Sequence, residues 1–316
     1  MIDLHLHLDG SLRPKTVLEL GAEQGISLPA KTLETLIEYL RVPEDCKSLT
    51  EYLERFDLPL EVLQVPSAIE RVTFELVEDL AFMGLEYAEI RFAPQLSTKK
   101  GLTQEEVVKA AISGLDKALS KYTDIKVQLI LCCMRGKDND ADNYETLEVA
   151  KKYLSKGVCA VDLAGAEALF KTKNYKELFE KVNEFNLPFT IHAGEADGPE
   201  SVKEAISYGA RRIGHGVRSI EDEDLIKELI EKGVTLEVCP ISNLQTKTVD
   251  DIRNHPIRRL FDLGVRVTVN TDNMTVSNTT LQKEKLLLKE ALGFTDKEFE
   301  VMEVYSKEAA FGEQNV

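Results

Sequence analysis

Four of the five histidines of this chain lie at or near the ends of short apolar runs that are typical of β-strands. His5 and His7 are two residues apart, so in a strand both side chains point to the same face and can bind one ion. His192 and His215 end two later runs, whereas His255 begins a helical segment and is interpreted as structural. Histidine is a common zinc ligand, and three protein ligands with an open position are typical of a catalytic zinc site. The pattern therefore predicts a catalytic metal site.

The elements that must position these histidines alternate regularly along the chain. Apolar runs rich in β-branched residues predict strands at 2–7, 86–93, 125–133, 157–163, 187–192, 210–214, 234–238 and 264–270. Helical patterns fill the gaps, at 104–121, 144–154, 175–185, 199–207, 222–232 and 256–263. Several of these helices end at a glycine just before the next strand, which is the usual helix stop. Strands joined by helical crossovers predict an α/β fold, a (β/α)8 TIM barrel.

Two segments depart from this alternation. Residues 13–84, between the first and second strands, contain several helix-like segments where a barrel normally has one. Within them, residues 48–66 are expected to form a lid or substrate wall above the carboxyl ends of the strands. The pattern of residues 295–310 predicts a last helix at the carboxyl end of the sequence. No repeat or linker divides the sequence, so residues 1–316 are interpreted as a single barrel domain.

The composition argues against several classes of partner. The chain has 39 Lys and Arg against 55 Asp and Glu, a formal net charge of −16 that repels nucleic acids and anionic membranes. No apolar run approaches the ~20 residues that span a bilayer, and no signal peptide is visible at the amino terminus. The five cysteines have no paired spacing, so a reducing cytoplasm is expected. The oligomeric state stays open.

The carboxyl ends of barrel strands meet at one mouth, where active sites lie. Reading those ends in order brings together four histidines and an aspartate: His5, His7, His192, His215 and Asp272. Three neutral imidazoles and one carboxylate make a suitable zinc site, and the metal would lower the pKa of a water there to about 7. Glu195, three residues beyond His192, could transfer protons, and His215 could orient or deprotonate that water.

Six motifs in strand order give the chain a family resemblance. They are His5-Leu6-His7-Leu8-Asp9-Gly10-Ser11, Tyr87-Ala88-Glu89-Ile90-Arg91-Phe92-Ala93-Pro94, Asp162-Leu163-Ala164-Gly165-Ala166-Glu167, His192-Ala193-Gly194-Glu195, Gly214-His215-Gly216 and Asn270-Thr271-Asp272. Together they resemble the adenosine deaminase family of metal-dependent amidohydrolases, from the first strand to the last. The resemblance implies hydrolysis of adenosine, and of 2′-deoxyadenosine, to inosine and ammonia. It also implies one zinc ion (Zn2+) per subunit, which activates the water that attacks purine C6.

The resemblance further implies roles for individual residues. The zinc ligands would be His5, His7, His192 and Asp272. Glu195 would donate a proton to purine N1, and His215 would hold and help to deprotonate the attacking water, which makes these two the catalytic residues. In substrate binding, the backbone amide of Gly165 would bond purine N3, and Asp9 would contact the ribose 5′-hydroxyl.

One position departs from the family pattern. The family often has two successive aspartates after the last strand, whereas here Asp272 is followed by Asn273. The second residue contacts purine N7, which is a hydrogen-bond acceptor. An asparagine amide always carries donor hydrogens, whereas an aspartate donates only when it is protonated. We therefore expect Asn273 to bind the purine without adding a titration to the pH profile.

Related functions stay open at this point. AMP or N6-methyl-AMP would need a phosphate clamp, for which the mouth offers only residues 97–100, a sequence more typical of a solvated loop. Free adenine would leave Asp9 without a hydroxyl to bind. A non-catalytic purine-binding barrel is a further alternative, although each ligand and proton-transfer position holds a competent residue. Two-metal relatives have a carboxylated lysine at the end of the fourth strand, where this chain has Asp162, so one metal is expected.

Overall fold

Eight parallel strands follow one another around a closed cylinder. The computed structural model describes residues 1–312. The strands are β1 (Ile2–His7), β2 (Tyr87–Phe92), β3 (Lys126–Met134), β4 (Val158–Ala164), β5 (Ile191–Ala193), β6 (Arg212–His215), β7 (Thr235–Val238) and β8 (Arg266–Val269). They pair in the orders β1-β2-β3-β4 and β5-β6-β7-β8. Bridges from Val161 to Phe189 and from Leu6 to Asp272 join the two groups of four. The predicted barrel, with all eight predicted strands, is confirmed.

Helices cover the outside of the cylinder and account for the two irregular segments. Those between β1 and β2 are α1 (Pro14–Glu23), α2 (Leu33–Leu40), α3 (Leu49–Leu53), α4 (Asp57–Val62) and α5 (Pro66–Phe82). The others are α6 (Gln104–Lys121), α7 (Asp140–Tyr153), α8 (Lys176–Glu184), α9 (Pro199–Ser207), α10 (Glu223–Lys232), α11 (Pro240–Gln245), α12 (Ile257–Asp262), α13 (Leu281–Leu292) and α14 (Asp296–Ala309). The extra helices after β1 and the final helix agree with the prediction, whereas α11 and α13 were not predicted. None of the helices formed by the described residues has the length and apolar character that a bilayer crossing needs.

Local sequence explains where several helices begin and end. The hydroxyl of Thr103 accepts a bond from the backbone of Glu106, whose carboxylate bonds back to the Thr103 amide, which starts α6. Thr295 and Glu298 form the same reciprocal pair at the start of α14. Helix α10 ends at Gly233, whose φ of 63° lies in the left-handed region that glycine adopts without strain. These signals set the lengths of the crossovers and hence the strand positions.

Alternation along the strands separates an apolar layer from a polar interior. In β1, Leu6 belongs to the large apolar core that includes Ile90, Leu129 and most of the buried helix residues. Asp3 and His5 are also fully buried, but they make hydrogen bonds across the inside of the barrel, to Thr271 and Glu237. The period of two therefore directs the ionisable side chains of this strand inward and its leucines toward the helices.

Candidate active site

Four potential metal ligands lie close together at the carboxyl end of the barrel. One ligand atom from each of His5, His7, His192 and Asp272 lies within 4.8 Å of all the others. The Nε2 atoms of His7 and His192 are 3.3 Å apart, and Asp272 Oδ1 is 3.5 Å from Nε2 of both His5 and His7. His5 Nε2 is buried and has no hydrogen-bond partner. Buried polar atoms normally have partners, so this donor set fits a divalent metal ion.

Buried carboxylates orient two of these imidazoles from behind. His5 Nδ1 lies 2.9 Å from Glu237 Oε2, and His192 Nδ1 lies 2.9 Å from Asp162 Oδ2. Arg91 joins the two carboxylates, since its Nη1 donates to Asp162 at 2.9 Å and its Nη2 to Glu237 at 2.8 Å. A carboxylate on one ring nitrogen fixes the imidazole and leaves the other nitrogen free for a metal. The arrangement therefore presents Nε2 of both rings toward Asp272.

The protonation of two of the three imidazoles suits metal binding. Burial lowers the pKa of His7 well below its usual value and also lowers the pKa of His192. Burial would raise the pKa of Asp272, but its contacts with His5 hold that pKa well below the usual range. Near neutral pH His7 and His192 thus favour the neutral form and Asp272 the carboxylate, which are the forms that bind metal ions. Burial would lower the pKa of His5, but its hydrogen bonds with Asp272 and Glu237 raise it, so metal binding there would displace a proton.

Glu195 and His215 face one another beside this cluster. Glu195 Oε2 is 3.4 Å from His215 Nε2, and the Thr246 hydroxyl donates to Glu195 Oε1 at 3.1 Å. Burial, followed by the nearby Asp272 carboxylate, raises the pKa of Glu195 well above its usual range, which favours the protonated carboxyl. Burial lowers the pKa of His215 well below its usual value, so this imidazole is neutral. The pair therefore combines a carboxylic acid with a neutral imidazole.

Asn243 supports His215 from the other side. Its amide nitrogen is 3.1 Å from His215 Nδ1, and its oxygen is 3.3 Å from Nε2 of His255. His255 Nδ1 in turn accepts from the backbone amide of Ile257, at the start of α12. The chain of contacts fixes the plane of the His215 ring. His255, interpreted as structural, occupies such a supporting position.

Two of the side chains predicted to be functional lie on strained backbone. His215 has a φ of 61° and Asp272 a φ of 58°, in the left-handed region that disfavours residues other than glycine. Backbone hydrogen bonds hold Asp272 in this conformation. Its amide donates to His5 O at 2.8 Å, and its carbonyl oxygen accepts from the His7 amide at 2.7 Å. Unfavourable backbone geometry of this kind clusters at functional sites.

The remaining predicted substrate residues line the same cavity. Asp9 is buried, which raises its pKa to about 7, and its Oδ1 has no hydrogen-bond partner. Gly165 forms the turn after β4 with a φ of 106°, a conformation that requires glycine. Asn273 Nδ2 donates to the Tyr52 hydroxyl at 2.9 Å, and that hydroxyl lies 2.6 Å from Ser277 Oγ. All nine residues predicted for metal, catalysis and substrate thus meet at one end of the barrel.

The cavity above these residues has a volume of about 190 Å3 and mixes apolar with polar walls. It is lined by His7, Asp9, Leu49, Tyr52, Leu53, Phe56, Asp57, Leu60, Ala93, Leu96, Cys132, Met134, Ala164, Gly165, His192, Glu195, His215, Asp272 and Asn273. Six of these come from residues 49–60, so the predicted lid segment does form one wall. Within that segment Phe56 faces the cavity, whereas Val62 packs into the apolar core.

Several supporting residues were missed by the sequence reasoning. Glu237, Asn243 and Tyr52 contact predicted site residues, but each carries an isolated polar group without a recognisable spacing. Glu237 lies one residue before the end of the predicted strand 234–238, a position that could have been read as a strand end. Arg135, beyond the end of β3, donates to the backbone oxygens of Phe170 and His192.

Comparison with known proteins gives concordant results. The family model described as Adenosine deaminase matches residues 1–316. A relative named Adenosine deaminase, from Haemophilus ducreyi, is 51% identical over 98% of this chain and 91% of its own length. The structure of adenine deaminase from Arthrobacter aurescens superposes with a TM-score of 0.89 at 27% identity, covering 98% of this chain and 93% of that one. The N6-methyl-AMP deaminase of Arabidopsis thaliana superposes with a TM-score of 0.84 at 26% identity, covering 99% and 92%. The similarity therefore extends over nearly the whole chain.

Proposed function

The chain belongs to the adenosine deaminase family, and from that premise we propose that it hydrolyses adenosine, and 2′-deoxyadenosine with it, to inosine and ammonia. The observation that carries the proposal is that Glu195 Oε2 lies 3.4 Å from His215 Nε2, beside a four-ligand metal cluster. Such a pair can supply a proton to a purine and hold a water molecule at the same time. We further propose that residues 1–316 act as one barrel domain.

Zinc is the metal that we propose for the cluster, one ion per subunit. The 3.3 Å between Nε2 of His7 and Nε2 of His192 would allow both imidazoles to bind one ion. His5 and Asp272 would complete the set. When bound, the ion supplies Lewis acidity that lowers the pKa of the attacking water to about 7.

The proton transfers are assigned to two residues of the chain. Glu195 would give its proton to purine N1, which withdraws electron density from C6 and makes that carbon easier to attack. His215 would hold the attacking water and help to deprotonate it, with Glu195 Oε2 3.4 Å from its Nε2. Once Glu195 has lost its proton, its carboxylate can accept one and pass it to the departing ammonia.

Polar groups around the cavity would hold the purine nucleoside. The Gly165 amide is proposed to bond N3, and the Asn273 amide to bond N7. Because Asn273 Nδ2 uses one hydrogen for Tyr52, its second hydrogen remains for the purine. Asp9 Oδ1, which is buried without a partner, is suited to a ribose hydroxyl. Free adenine would leave that oxygen unpaired, which favours a nucleoside.

The cavity disfavours a nucleotide substrate. Within the part of the chain that the structure describes, the residues lining the cavity include no lysine or arginine, but they do include Asp9 and Asp57. Lys100, in the segment considered as a phosphate clamp, donates to Gln24 Oε1 at 3.0 Å instead. Phosphate binding calls for charge-assisted donors, which this cavity lacks. AMP and N6-methyl-AMP are therefore the weaker candidates.

Turnover of a substrate panel tests the proposal. Zinc-loaded protein is incubated with adenosine, 2′-deoxyadenosine, adenine, AMP and N6-methyl-AMP, and loss of the adenine absorbance is followed. We expect both nucleosides to react and the base and nucleotides to react at least about 100-fold more slowly, because adenine leaves Asp9 unpaired and a phosphate group meets no lysine or arginine among the residues that line the cavity. Preference for a nucleotide would overturn the substrate assignment, and no reaction with any of the five would overturn the catalytic one.

The free, buried cysteines accord with a cytoplasmic location, which we also propose.

A further inference from the structure

Glu167 belongs to one of the sequence motifs but has no role in the chemistry proposed above. It is buried, with 1% of its surface exposed, three residues beyond the end of β4. Its carboxylate accepts hydrogen bonds from four consecutive backbone amides, those of Gly194, Glu195, Ala196 and Asp197, at 2.7, 3.1, 2.7 and 2.9 Å. Ser201 Oγ donates a further bond at 2.5 Å. A carboxylate has about four lone-pair sites, so this one is saturated with donors.

These bonds join two turns that carry proposed purine contacts. Glu167 lies two residues after Gly165, in the turn that follows β4. The four amides belong to the turn after β5, which carries the side chain of Glu195. We propose, on the basis of the function proposed above, that Glu167 is a positioning residue that fixes the Glu195 carboxyl relative to the Gly165 amide. The two groups would then meet N1 and N3 of one purine ring in register.

A second set of contacts fixes the same turn at its other end. Arg135 Nη2 donates to His192 O at 2.6 Å and to Thr172 Oγ1 at 2.9 Å. Thr172 Oγ1 lies 2.6 Å from Ser201 Oγ, which donates to Glu167. Residues 192–197 are therefore held at the His192 carbonyl by a guanidinium and at the following amides by a carboxylate. A segment held at both ends has little freedom to carry Glu195 away from the cavity.

The Glu167 carboxylate also acts on Glu195 through its charge. After burial and the Asp272 carboxylate, Glu167 is the next cause that raises the pKa of Glu195. A negative charge here favours the protonated form of Glu195, the form able to donate to N1. One buried side chain thus positions the proposed acid and also contributes to the rise in its pKa.

Glu167→Gln tests the proposal because it preserves shape while replacing one acceptor oxygen with a donor. The new NH2 group would face backbone N–H donors, so bonds to the turn are lost and Glu195 shifts. We expect kcat for adenosine to fall about 100-fold, the effect of a displacement of roughly 1 Å, with KM changed much less. Zinc content should stay at one ion per chain. The matched control is Glu177→Gln on the exposed surface of α8, which should leave kcat unchanged.

The inhibition constant of 1-deazaadenosine separates positioning from collapse of the pocket. This analogue has C–H in place of N1, so its affinity does not report the Glu195 contact but still reports the other walls. In Glu167→Gln we expect that constant to stay within about threefold of the wild type. A kcat within about threefold of the wild type would overturn the proposal, as would a weakening of 1-deazaadenosine in parallel with kcat.

Ser201→Ala keeps the test decisive if Glu167→Gln does not fold. It removes one of the five bonds and leaves the charge in place, so kcat should fall about three- to tenfold, equivalent to roughly 0.5–1.5 kcal/mol for one hydrogen bond, again with unchanged 1-deazaadenosine binding. No change in kcat would count against the proposal. Failure of the proposed function would look different, because the wild-type protein would then not deaminate adenosine at all.

Discussion

The two ends of the barrel interior both contain buried charged groups, but they differ in how these groups are satisfied. Toward the amino ends of the strands, Arg212 donates to Glu89 at 2.5 Å and to Glu237 at 2.7 Å. Glu89 also accepts from the Tyr87 hydroxyl and the Phe311 amide, at 2.8 and 2.6 Å. Each carboxylate oxygen of Glu89 and Glu237 therefore has a protein partner. We call these residues the closed network.

Toward the carboxyl ends, several buried atoms lack partners. His5 Nε2, Asp9 Oδ1 and Asn273 Oδ1 have none among the described residues. Leaving a buried polar group unpaired costs about 1–3 kcal/mol, and the closed network shows that this same interior can avoid that cost. Two of these unpaired atoms, His5 Nε2 and Asp9 Oδ1, are those to which a metal ion and a ribose hydroxyl are assigned in the proposed function. Glu237 touches both regions, since it also contacts His5.

We call the site residues at the carboxyl ends of the strands the open region. The largest effect is expected from replacing one of them, Asp272. Asp272→Ala removes a proposed metal ligand itself. Replacing a residue that only hydrogen-bonds to a ligand lowers metal affinity by about 10–100-fold. We therefore expect zinc affinity to fall by more than about 100-fold and deamination to become undetectable, as measured by chelator competition and by turnover. Asp57→Ala, on the exposed rim of the cavity, should retain zinc. Full zinc occupancy in Asp272→Ala would show that the ligand assignment is wrong.

Breaking the closed network should instead reduce stability. Arg212→Met leaves the buried carboxylates of Glu89 and Glu237 without their shared cation, a loss worth about 3–5 kcal/mol of unfolding free energy. Urea denaturation at neutral pH measures it. Arg218→Met, which removes a largely exposed pair with Glu221, should cost less than about 1 kcal/mol. Equal losses in the two variants would contradict the distinction between the regions.

Glu237 tests whether the two regions are coupled. Glu237→Gln removes the charge behind His5, and we expect zinc affinity to fall about 10–100-fold. Glu284→Gln is the matched control, because Glu284 is equally buried, does not contact His5, and has a pKa that burial raises to about 8, so it is already neutral at pH 7. Metal titration should show the control within about twofold of the wild type, a change of under roughly 0.5 kcal/mol. Unaltered affinity in Glu237→Gln would mean that the regions are independent.

The smallest effect concerns His255, which supports the open region through Asn243. Burial lowers the pKa of His255 to about 3 from its usual 6.5. Between these values the unfolded chain binds a proton that the folded chain does not, so this contribution to stability is present above pH 6.5 and is lost as the pH falls toward 3. The slope is at most about 1.4 kcal/mol per pH unit. In His255→Gln the slope of the unfolding free energy against pH, between pH 3 and pH 6.5, should decrease by the equivalent of one bound proton. The difference between variant and wild type at pH 8 is the internal reference. An unchanged slope would refute the assignment.

The strand ends could be predicted from sequence because alternation and helix stops are local signals. They brought His5, His7, His192 and Asp272 together before any contact was known. Contacts between distant residues could not be predicted in the same way: Glu237 is 232 positions from His5. Helix α13 was missed because only Leu281, Glu284 and Leu288 of its residues are buried, which gives a weak apolar stripe.

The left-handed backbone of His215 and Asp272 has a consequence for engineering. At each position a glycine would relieve roughly 1–2 kcal/mol of conformational strain and would also delete a side chain to which a function is assigned in the proposal. If that assignment is right, a laboratory selection for heat resistance alone would favour substitutions that remove activity at these two sites. Thermal stability and catalysis pull in opposite directions here, so more robust versions of the protein are better sought on its outer helices.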